Sequence, residues 1–252
     1  MQRARIIPIL TVDNGKLVKT VKFKKPNYIG DPINAIKIFN DKMIDEIVIF
    51  DITASKQGRK PNTDLIYEMA SECFSPLGYG GGITSFEEAK KVFDQGVEKV
   101  IINSAIAGNA SLLQEIADAY GSQSVVVSLD VKKPLFGGMR PCFRSASDVI
   151  KEDIVAFAQR METAGAGELI IHNTDRDGTF SGLDRELTKS VAGAVGIPVI
   201  ACGGAHSVED MNETISATGA SAAAAGSIFV YKDRNPKSIL ISYPTPEDII
   251  SR

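Results

Sequence analysis

The sequence predicts a (β/α)8 barrel, in which eight parallel strands form a closed ring inside eight helices. Short β-branched segments alternate with segments of helical period along all 252 residues, a pattern typical of repeated βαβ units. About 250 residues is also the usual size of such a barrel. A half-length repeat favours the barrel over an open doubly wound sheet, which gives no reason for one. We therefore expect residues 1–252 to form one domain.

The predicted strands are short segments rich in β-branched residues. They comprise residues 5–12, 46–51, 77–80, 99–103, 124–130, 168–172, 199–201 and 220–224. Two intervening helices have recognisable beginnings, because Ser85 and Ser207 are each followed three positions later by an acid, as N-capping serines often are. We expect Gly96 and Gly219 to end these helices.

The repeat relates the two halves of the chain. Residues 81–85 (GGITS) recur 122 positions later as residues 203–207 (GGAHS), and the same offset relates residues 103–105 to 225–227. Both glycine loops lie between a strand and a capped helix, so backbone N–H groups and a helix N-terminus can face an anion there. Two such loops predict a ligand with phosphate at both ends, whereas plain tight turns are the alternative.

The connection after the first strand, residues 13–30, is unusually long. A connection of this length in a compact barrel is typical of a lid or binding loop. The alternative is a solvated basic loop, since it carries five lysines: Lys16, Lys19, Lys22, Lys24 and Lys25.

Composition limits the range of partners. A net charge of -3 and a pI near 5.5 argue against general nucleic-acid binding, which depends on clustered positive charge. We expect no membrane span and no signal peptide, hence a cytoplasmic protein. Cys73, Cys142 and Cys202 lack any metal-ligand spacing and are expected to be reduced packing residues, without a metal.

The two-residue period of strands sorts polar side chains to the two ends of the predicted barrel. Arg5, Glu46, Lys99 and Glu168 stand at the strand N-termini, where we expect an ion-paired ring because unpaired charges would be costly. This ring alone could be a structural plug. At the C-terminal ends stand Thr11, Asp51, Asn103, Asp130, His172, Asn173, Asp175 and Asp177.

Among these strand-end residues, Asp130 is the candidate general acid/base, because it follows a buried segment and lies beside the predicted phosphate site. The imidazole of His172 fits either a wall residue or a ligand contact.

Six motifs in order along the chain resemble the cyclase subunit of imidazole glycerol phosphate synthase. They are Asp51-Ile-Thr-Ala-Ser, Gly80-Gly-Gly-Ile, Gly121-Ser-Gln-Ser-Val-Val-Val, Gly165-Ala-Gly-Glu, Asp175-Arg-Asp-Gly-Thr and Cys202-Gly-Gly-Ala. The resemblance covers nearly the whole chain and is weakest after Tyr231.

The resemblance implies a barrel synthase without a cofactor, whose glutaminase partner docks on the barrel floor and delivers ammonia through the interior. The four floor charges then form the gate. The implied substrate is an open-chain phosphoribulosyl formimino aminoimidazole carboxamide ribotide with a phosphate at each end. The implied substrate and phosphate contacts are Lys19, Gly82, Asn103, Asp177, Gly178, Gly203, Gly204 and Ser227. Further candidate contacts, which the resemblance does not supply, are Asp51, His172 and Gly226.

One position departs from the family pattern. The implied acid/base pair is two aspartates at the tops of strands one and five; Asp130 matches the second, but Thr11 occupies the first position. A threonine hydroxyl cannot exchange a proton near neutral pH as a carboxylate can. Asp13 could replace it only if the loop folded back, because it lies about 6 to 7 Å further along the strand.

Three functions stay open. The first is the cyclase of histidine biosynthesis. The second is a divergent paralogue with weak or no cyclase activity that passes ammonia on to amidate a surface-polysaccharide sugar. The third is the related sugar-phosphate isomerase barrel, which also uses strand-end acids but has no use for the charged floor.

Overall fold

The computed structural model describes residues 4–143 and 146–250, so the remaining residues of the predicted domain lie outside the description. In chain order the elements are β1 (Arg5–Asp13), β2 (Lys16–Val21), β3 (Lys24–Gly30), α1 (Pro32–Asp41), β4 (Ile47–Asp51), α2 (Thr63–Glu72), β5 (Leu77–Gly80), α3 (Phe86–Phe93), β6 (Lys99–Ile102), α4 (Ser111–Tyr120), β7 (Val125–Lys132), β8 (Arg140–Phe143), β9 (Asp148–Val149), α5 (Ile154–Thr163), β10 (Glu168–Asn173), α6 (Arg185–Ala192), β11 (Val199–Cys202), α7 (Val208–Thr218), β12 (Ala222–Ala225) and α8 (Ser227–Val230).

Eight of the strands close into a parallel barrel, which confirms the predicted fold. The ring runs β1, β4, β5, β6, β7, β10, β11, β12 and back to β1. Each predicted strand occurs within two residues of its expected bounds. The barrel is closed because β10 pairs with both β7 and β11, which leaves no free edge in the ring.

Three of the four predicted helix-end residues cap their helices, whereas α3 ends at Phe93 with Asp94 as its C-cap, two residues before the predicted Gly96. The Ser85 hydroxyl accepts the N–H of Glu88, and the Ser207 hydroxyl accepts the N–H of Asp210. Gly219 ends α7 in the left-handed conformation at φ 78°, where glycine has no Cβ penalty. These two helices therefore begin directly after the glycine loops that form the barrel mouth.

Two hydrophobic clusters lie on opposite faces of the strands. The larger one packs the strands against the helices, and the smaller one fills the barrel interior with Ile7, Ile9, Val48, Ile101, Val126, Ile170, Ile200, Cys202, Ala222 and Ala224. Residues two apart on a strand, such as Ile7 and Ile9, thus face the barrel interior together, as the two-residue period of strands predicts. The 122-residue offset does not preserve orientation everywhere, because Ile101 faces inward whereas Ala223, its counterpart, faces the helices.

Residues 13–30, predicted as a lid or binding loop without strands of its own, form a β-hairpin that continues from β1. Asn14 and Gly15, at φ 48° and 78°, make a two-residue turn between β1 and β2, as Asn-Gly commonly does. A second turn at Lys22 and Phe23 joins β2 to β3. The hairpin bends over the barrel mouth, where the Lys22 N–H donates to the Asp177 carbonyl at 2.9 Å.

Among residues 4–143 and 146–250, no helix is both long and apolar enough to span a bilayer.

Candidate active site

One cavity opens at the C-terminal ends of the barrel strands, beneath the hairpin. It brings together thirteen sequence-predicted residues: Thr11, Lys19, Asp51, Gly82, Asn103, Asp130, His172, Asp177, Gly178, Gly203, Gly204, Gly226 and Ser227. Residues that were not predicted as site residues also line it, among them Thr20, Phe23, Phe50, Ser55 and Cys202, which was predicted as a packing residue. The parity of β11 could have revealed Cys202, whereas no sequence signal indicates that Phe23 folds back over the mouth.

Three other candidates lie outside this cavity. Asp13 sits at the base of the first hairpin turn, where its carboxylate accepts the Asn14 amide at 2.8 Å. The Asn173 amide donates to Asp184 at 2.8 Å, and the Asp175 carboxylate accepts the Lys133 N–H at 2.9 Å. The loop does not fold back as the Asp13 hypothesis required, so these side chains shape the loops around the mouth.

Thr11 reaches the cavity from β1, but its hydroxyl is already engaged. It donates a hydrogen bond to the carbonyl of Val18, its partner residue on β2. The hydroxyl therefore anchors the hairpin to the barrel. Because residue 11 is a threonine, β1 supplies no carboxylate at this position of the cavity.

The first glycine loop packs against the connection after β4, which Asp51 organises. One oxygen of the Asp51 carboxylate accepts the N–H groups of Thr53 at 3.1 Å and Ala54 at 3.0 Å, and Arg59 forms an ion pair with the other at 3.3 Å. A Cβ at Gly81 would lie 2.7 Å from the Asp51 carbonyl oxygen, and one at Gly82 would lie 2.6 Å from the Arg59 carbonyl oxygen. The Asp51 carboxylate, predicted as a substrate contact, thus fixes the connection on which Gly81 and Gly82 rest.

The second glycine loop approaches the backbone of its neighbours as closely as the first. A Cβ at Gly203 would lie 2.5 Å from the Asn173 carbonyl oxygen, and one at Gly204 would lie 2.6 Å from the Gly182 carbonyl oxygen. Both glycines have φ near 100°, at 95° and 100°, where other residues rarely fit. Glycine is required here for backbone reasons, and the loop lines the cavity opposite Gly82.

Lys19 projects from β2 into the cavity and is 8% exposed, while the other four lysines of the hairpin are exposed. Its Nζ donates to the Ile9 carbonyl at 2.9 Å and packs directly on Gly226. Burial lowers the pKa of Lys19, although the nearby Asp177 and Cys202 oppose this. The hairpin is therefore not simply a solvated basic loop, because it buries one cation inside the mouth.

Asp130 and His172 form a titratable pair on adjacent strands, with Asp130 Oδ1 3.9 Å from His172 Nδ1. Burial raises the pKa of Asp130 to about 6, although His172 and Asn103 act in the opposite direction. Burial disfavours the protonated imidazole, but Cys202 and Asp177 outweigh it and hold the pKa of His172 well above its ordinary value. The mouth thus contains a carboxyl and an imidazole that both titrate away from their usual ranges.

The floor of the barrel carries the predicted ring of four charges. Arg5 contacts Glu46 at 2.7 Å and Glu168 at 2.5 Å, and Lys99 contacts the other oxygen of each carboxylate at 2.8 Å. All four carboxylate oxygens are therefore paired, and both glutamates are 4% exposed. The inward-facing apolar cluster separates this ring from the mouth.

Comparisons with known proteins agree along almost the whole chain. Residues 5–235 match the family described as "Histidine biosynthesis protein". A Pseudomonas aeruginosa protein, provisionally named imidazole glycerol phosphate synthase subunit hisF2, is 48% identical over 244 residues, which cover 97% of each chain. A Vibrio vulnificus protein with the provisional name subunit hisF3 is 42% identical over 249 residues, covering 98% of this chain and 95% of its own. Imidazole glycerol phosphate synthase subunit HisF of Pyrococcus furiosus is 42% identical over 238 residues, covering 92% and 91%.

Proposed function

Because the chain belongs to the histidine biosynthesis protein family, we propose that it is the cyclase subunit of an imidazole glycerol phosphate synthase. It would use ammonia from a glutaminase partner to convert the bis-phosphorylated formimino ribotide into imidazole glycerol phosphate. The observation that carries this proposal is the placement of both glycine loops at one cavity, with Asp130 and Lys19 in the same cavity. A ligand with a phosphate at each end fits this arrangement, since each phosphate meets its own glycine loop.

The barrel interior supports the ammonia path. Glu168 in the floor ring and His172 at the mouth are four positions apart on β10, a distance of about 13 Å at the rise of a parallel strand. Apart from Ser128, the side chains between these ends are apolar, and several are small, including Ala222 and Ala224. An apolar passage suits a neutral molecule such as ammonia, and the ring of charges closes the end at which it would enter.

The floor also offers a docking face for the partner. Met43 is 76% exposed in the connection between α1 and β4, and Phe74 is 84% exposed in the connection between α2 and β5. Both connections lead into strand N-termini, so both side chains stand beside the charged ring. Exposed large apolar residues next to a functional opening support a protein interface there.

The catalytic test is turnover of the ribotide with ammonium salts in the absence of the partner. We expect turnover by the wild type, and at least tenfold less with Asp130→Asn, because a general acid/base commonly supplies about 10²- to 10⁴-fold in rate. A chain that is inert with the ribotide at saturating ammonia would rule out the cyclase.

The docking test compares exposed apolar pairs at the two ends of the barrel. Replacing Met43 and Phe74 by serine should abolish co-elution with the cognate glutaminase in size-exclusion chromatography. Leu135 and Phe136, 97% and 91% exposed in the connection between β7 and β8, provide the control pair, whose replacement by serine should leave the complex intact. Equal losses for the two pairs would refute docking on the floor.

A second function is favoured by Thr11. Its hydroxyl is bound to the hairpin backbone, and no carboxylate takes the strand-one position in this chain. In this alternative the chain is a paralogue that activates the glutaminase and passes ammonia on to amidate a surface-polysaccharide sugar. It predicts higher glutaminase activity when the chain is added, without ribotide turnover, and cyclase activity that emerges only with Thr11→Asp. Rapid turnover by the wild type would exclude it.

A further inference from the structure

His172 is a buried imidazole at the centre of the cavity that neither glycine loop requires. Its side chain is 10% exposed, and its Nε2 lies 3.2 Å from Asp177 Oδ1. The Phe23 ring covers it edge-on, with the ring centroids 4.9 Å apart. The imidazole is thus oriented from one side by a carboxylate and shielded from solvent by the hairpin.

The ring is contacted by Cys202 on β11, by Asp177 in the connection after β10 and, at 3.9 Å, by Asp130 on β7. Lys19 on β2 lines the same cavity and has Asp177 and Cys202 as neighbours in common with His172. Cys202 and Asp177 favour the imidazolium form and outweigh the effect of burial. Asp130 places a second carboxylate near the other ring nitrogen.

The 3.9 Å separation between His172 Nδ1 and Asp130 Oδ1 has a chemical consequence. This distance is too long for a hydrogen bond, so the N–H on Nδ1 does not donate to Asp130. The N–H on Nε2 donates to Asp177. A ligand that lies alongside this pair could place one atom against the proton donor Nδ1 and a neighbouring atom against the carboxylate acceptor.

We propose that His172 is the general acid of this cavity and works with Asp130 as the base, so that the acid/base pair comes from β10 and β7 instead of from β1. This inference rests on the proposed cyclase function and deepens it. It assigns to His172 on β10 the acid/base role for which Thr11 on β1 is unsuited. Asp177 is then a positioning residue, because it orients the imidazole.

The step can be written with its protons balanced. Ammonia adds to the ribulosyl ketone carbon, a C–N bond forms, and the C=O π bond breaks. The oxygen takes the proton of His172 Nδ1, and the nitrogen gives a proton to the Asp130 carboxylate. Asp130 then returns that proton to the neutral imidazole, which restores the pair without an outside acid or base.

The experiment uses the fact that the chain has two histidines. His206, whose side chain is 45% exposed beside Asp210, serves as the matched control, and His206→Gln assigns the two imidazole signals in an NMR titration. We expect His172 to titrate above its ordinary range, and to move down by at least half a pH unit in Asp177→Asn. A His172 midpoint at or below about 6.5, the ordinary value, would overturn the proposal.

The kinetic arm measures ammonia-dependent turnover of the ribotide against pH. We expect His172→Gln to lower kcat by about 10²-fold or more and to change KM less than threefold. It should also abolish the alkaline limb of the kcat/KM profile, whose midpoint in the wild type matches the NMR value because kcat/KM reports groups of the free protein. His206→Gln should change none of these. An alkaline limb retained in His172→Gln would overturn the assignment, since a wall residue would leave the profile in place.

The two arms separate this inference from the proposed function. A wild-type chain without turnover would refute the cyclase and with it the assigned step, whatever the titration shows. A wild-type chain that turns over the ribotide with an unchanged profile in His172→Gln would refute only the role of His172.

Discussion

Gly226 allows the role of Lys19 to be tested without changing the lysine. An alanine at this position would place its Cβ 1.7 Å from Lys19 Nζ and 2.9 Å from the Ile9 carbonyl oxygen. Such a contact cannot exist, so the ammonium must leave its place at the cavity. The φ of Gly226 is -115°, outside the left-handed region that favours glycine, so it is the contacts of the new Cβ that oppose alanine here.

The expected magnitude follows from the lost contact. If Lys19 binds a phosphate of the ligand, the charge-assisted hydrogen bond contributes about 1.5 to 3 kcal/mol. Since about 1.4 kcal/mol corresponds to a factor of ten in affinity, Gly226→Ala should raise the Kd for the ribotide about 10- to 150-fold. Loss of the bond to Ile9 should lower the free energy of unfolding by about 1 kcal/mol as well, or about 2 to 4 °C in Tm.

The assay is isothermal titration with the ribotide, and Gly108 provides the control. Its φ is -114° and nothing would lie within 4 Å of an added Cβ, so Gly108→Ala should leave the Kd unchanged. The decisive comparison is a double-mutant cycle with Lys19→Ala, which removes both side-chain atoms that the new Cβ would meet, Nζ and Cε. If Gly226→Ala acts through the lysine, most of its cost should disappear in the Lys19→Ala background, where only the 2.9 Å contact with the Ile9 carbonyl oxygen remains. A change of less than threefold in the wild-type background, or fully additive losses, would refute the reasoning.

Three further predictions concern Asp130, the charged floor and the hairpin. Because Asp130 acts as a carboxylate with a pKa of about 6, kcat/KM should fall as the pH drops through about 6, and Asp130→Asn should remove that acidic limb; a limb that persists would belong to another group. Arg5→Met leaves the two floor glutamates with one cation between them, so the free energy of unfolding measured in urea should fall by about 2 to 3 kcal/mol. Lys37→Met, which breaks an exposed ion pair, should lower it by less than about 0.5 kcal/mol. Similar losses in the two variants would argue against a ring that acts as a unit. Gly178→Ala would place a Cβ 2.4 Å from the Thr20 carbonyl oxygen on β2 and so displace the hairpin, whereas the Cβ of Gly58→Ala, at a similar φ of 61°, meets nothing within 4 Å. Amide hydrogen exchange in β2 should become faster only in Gly178→Ala. Equal exchange rates in the two variants would contradict the packing of the hairpin on the connection after β10.

The barrel and its floor could be predicted because they depend on local periodicity. Strand positions follow from short β-branched segments, and the inward orientation of Arg5, Lys99 and Glu168 follows from the two-residue period once the strands are placed. The ring then needs only a closed barrel, in which strand N-termini meet at one end. The same parity argument brings Thr11, Asp130 and His172 to the mouth.

The two strands of the hairpin, β2 and β3, were not predicted from the sequence. Asn14-Gly15 is a strong hairpin signal, but the many lysines and the length of the segment favoured a loop. Its second turn places two residues that are not glycine, Lys22 and Phe23, at positive φ, which residue preferences do not indicate. Pairing with β1 and contact with the connection after β10 stabilise that conformation, and both are long-range.

The site predictions were limited by contacts between distant residues. Asp51 was expected among the substrate contacts, but its carboxylate is taken up by loop N–H groups and by Arg59 eight residues later. The pairing of His172 with Asp130 depends on the register between β10 and β7, which no local pattern states. Residue type and parity could place these side chains at the mouth, but not at a given distance from each other.

That register also ties the two ends of the barrel together. Along the same pair of strands Glu168 lies beside Val126 and His172 beside Asp130, so one alignment sets both the entrance and the reaction centre. A slip by a single position would turn Glu168 and His172 outward at once. A change in strand alignment would therefore alter both ends of the barrel together. Selection for the alignment at one end preserves it at the other, so that adaptation to a new substrate falls to the surrounding loops.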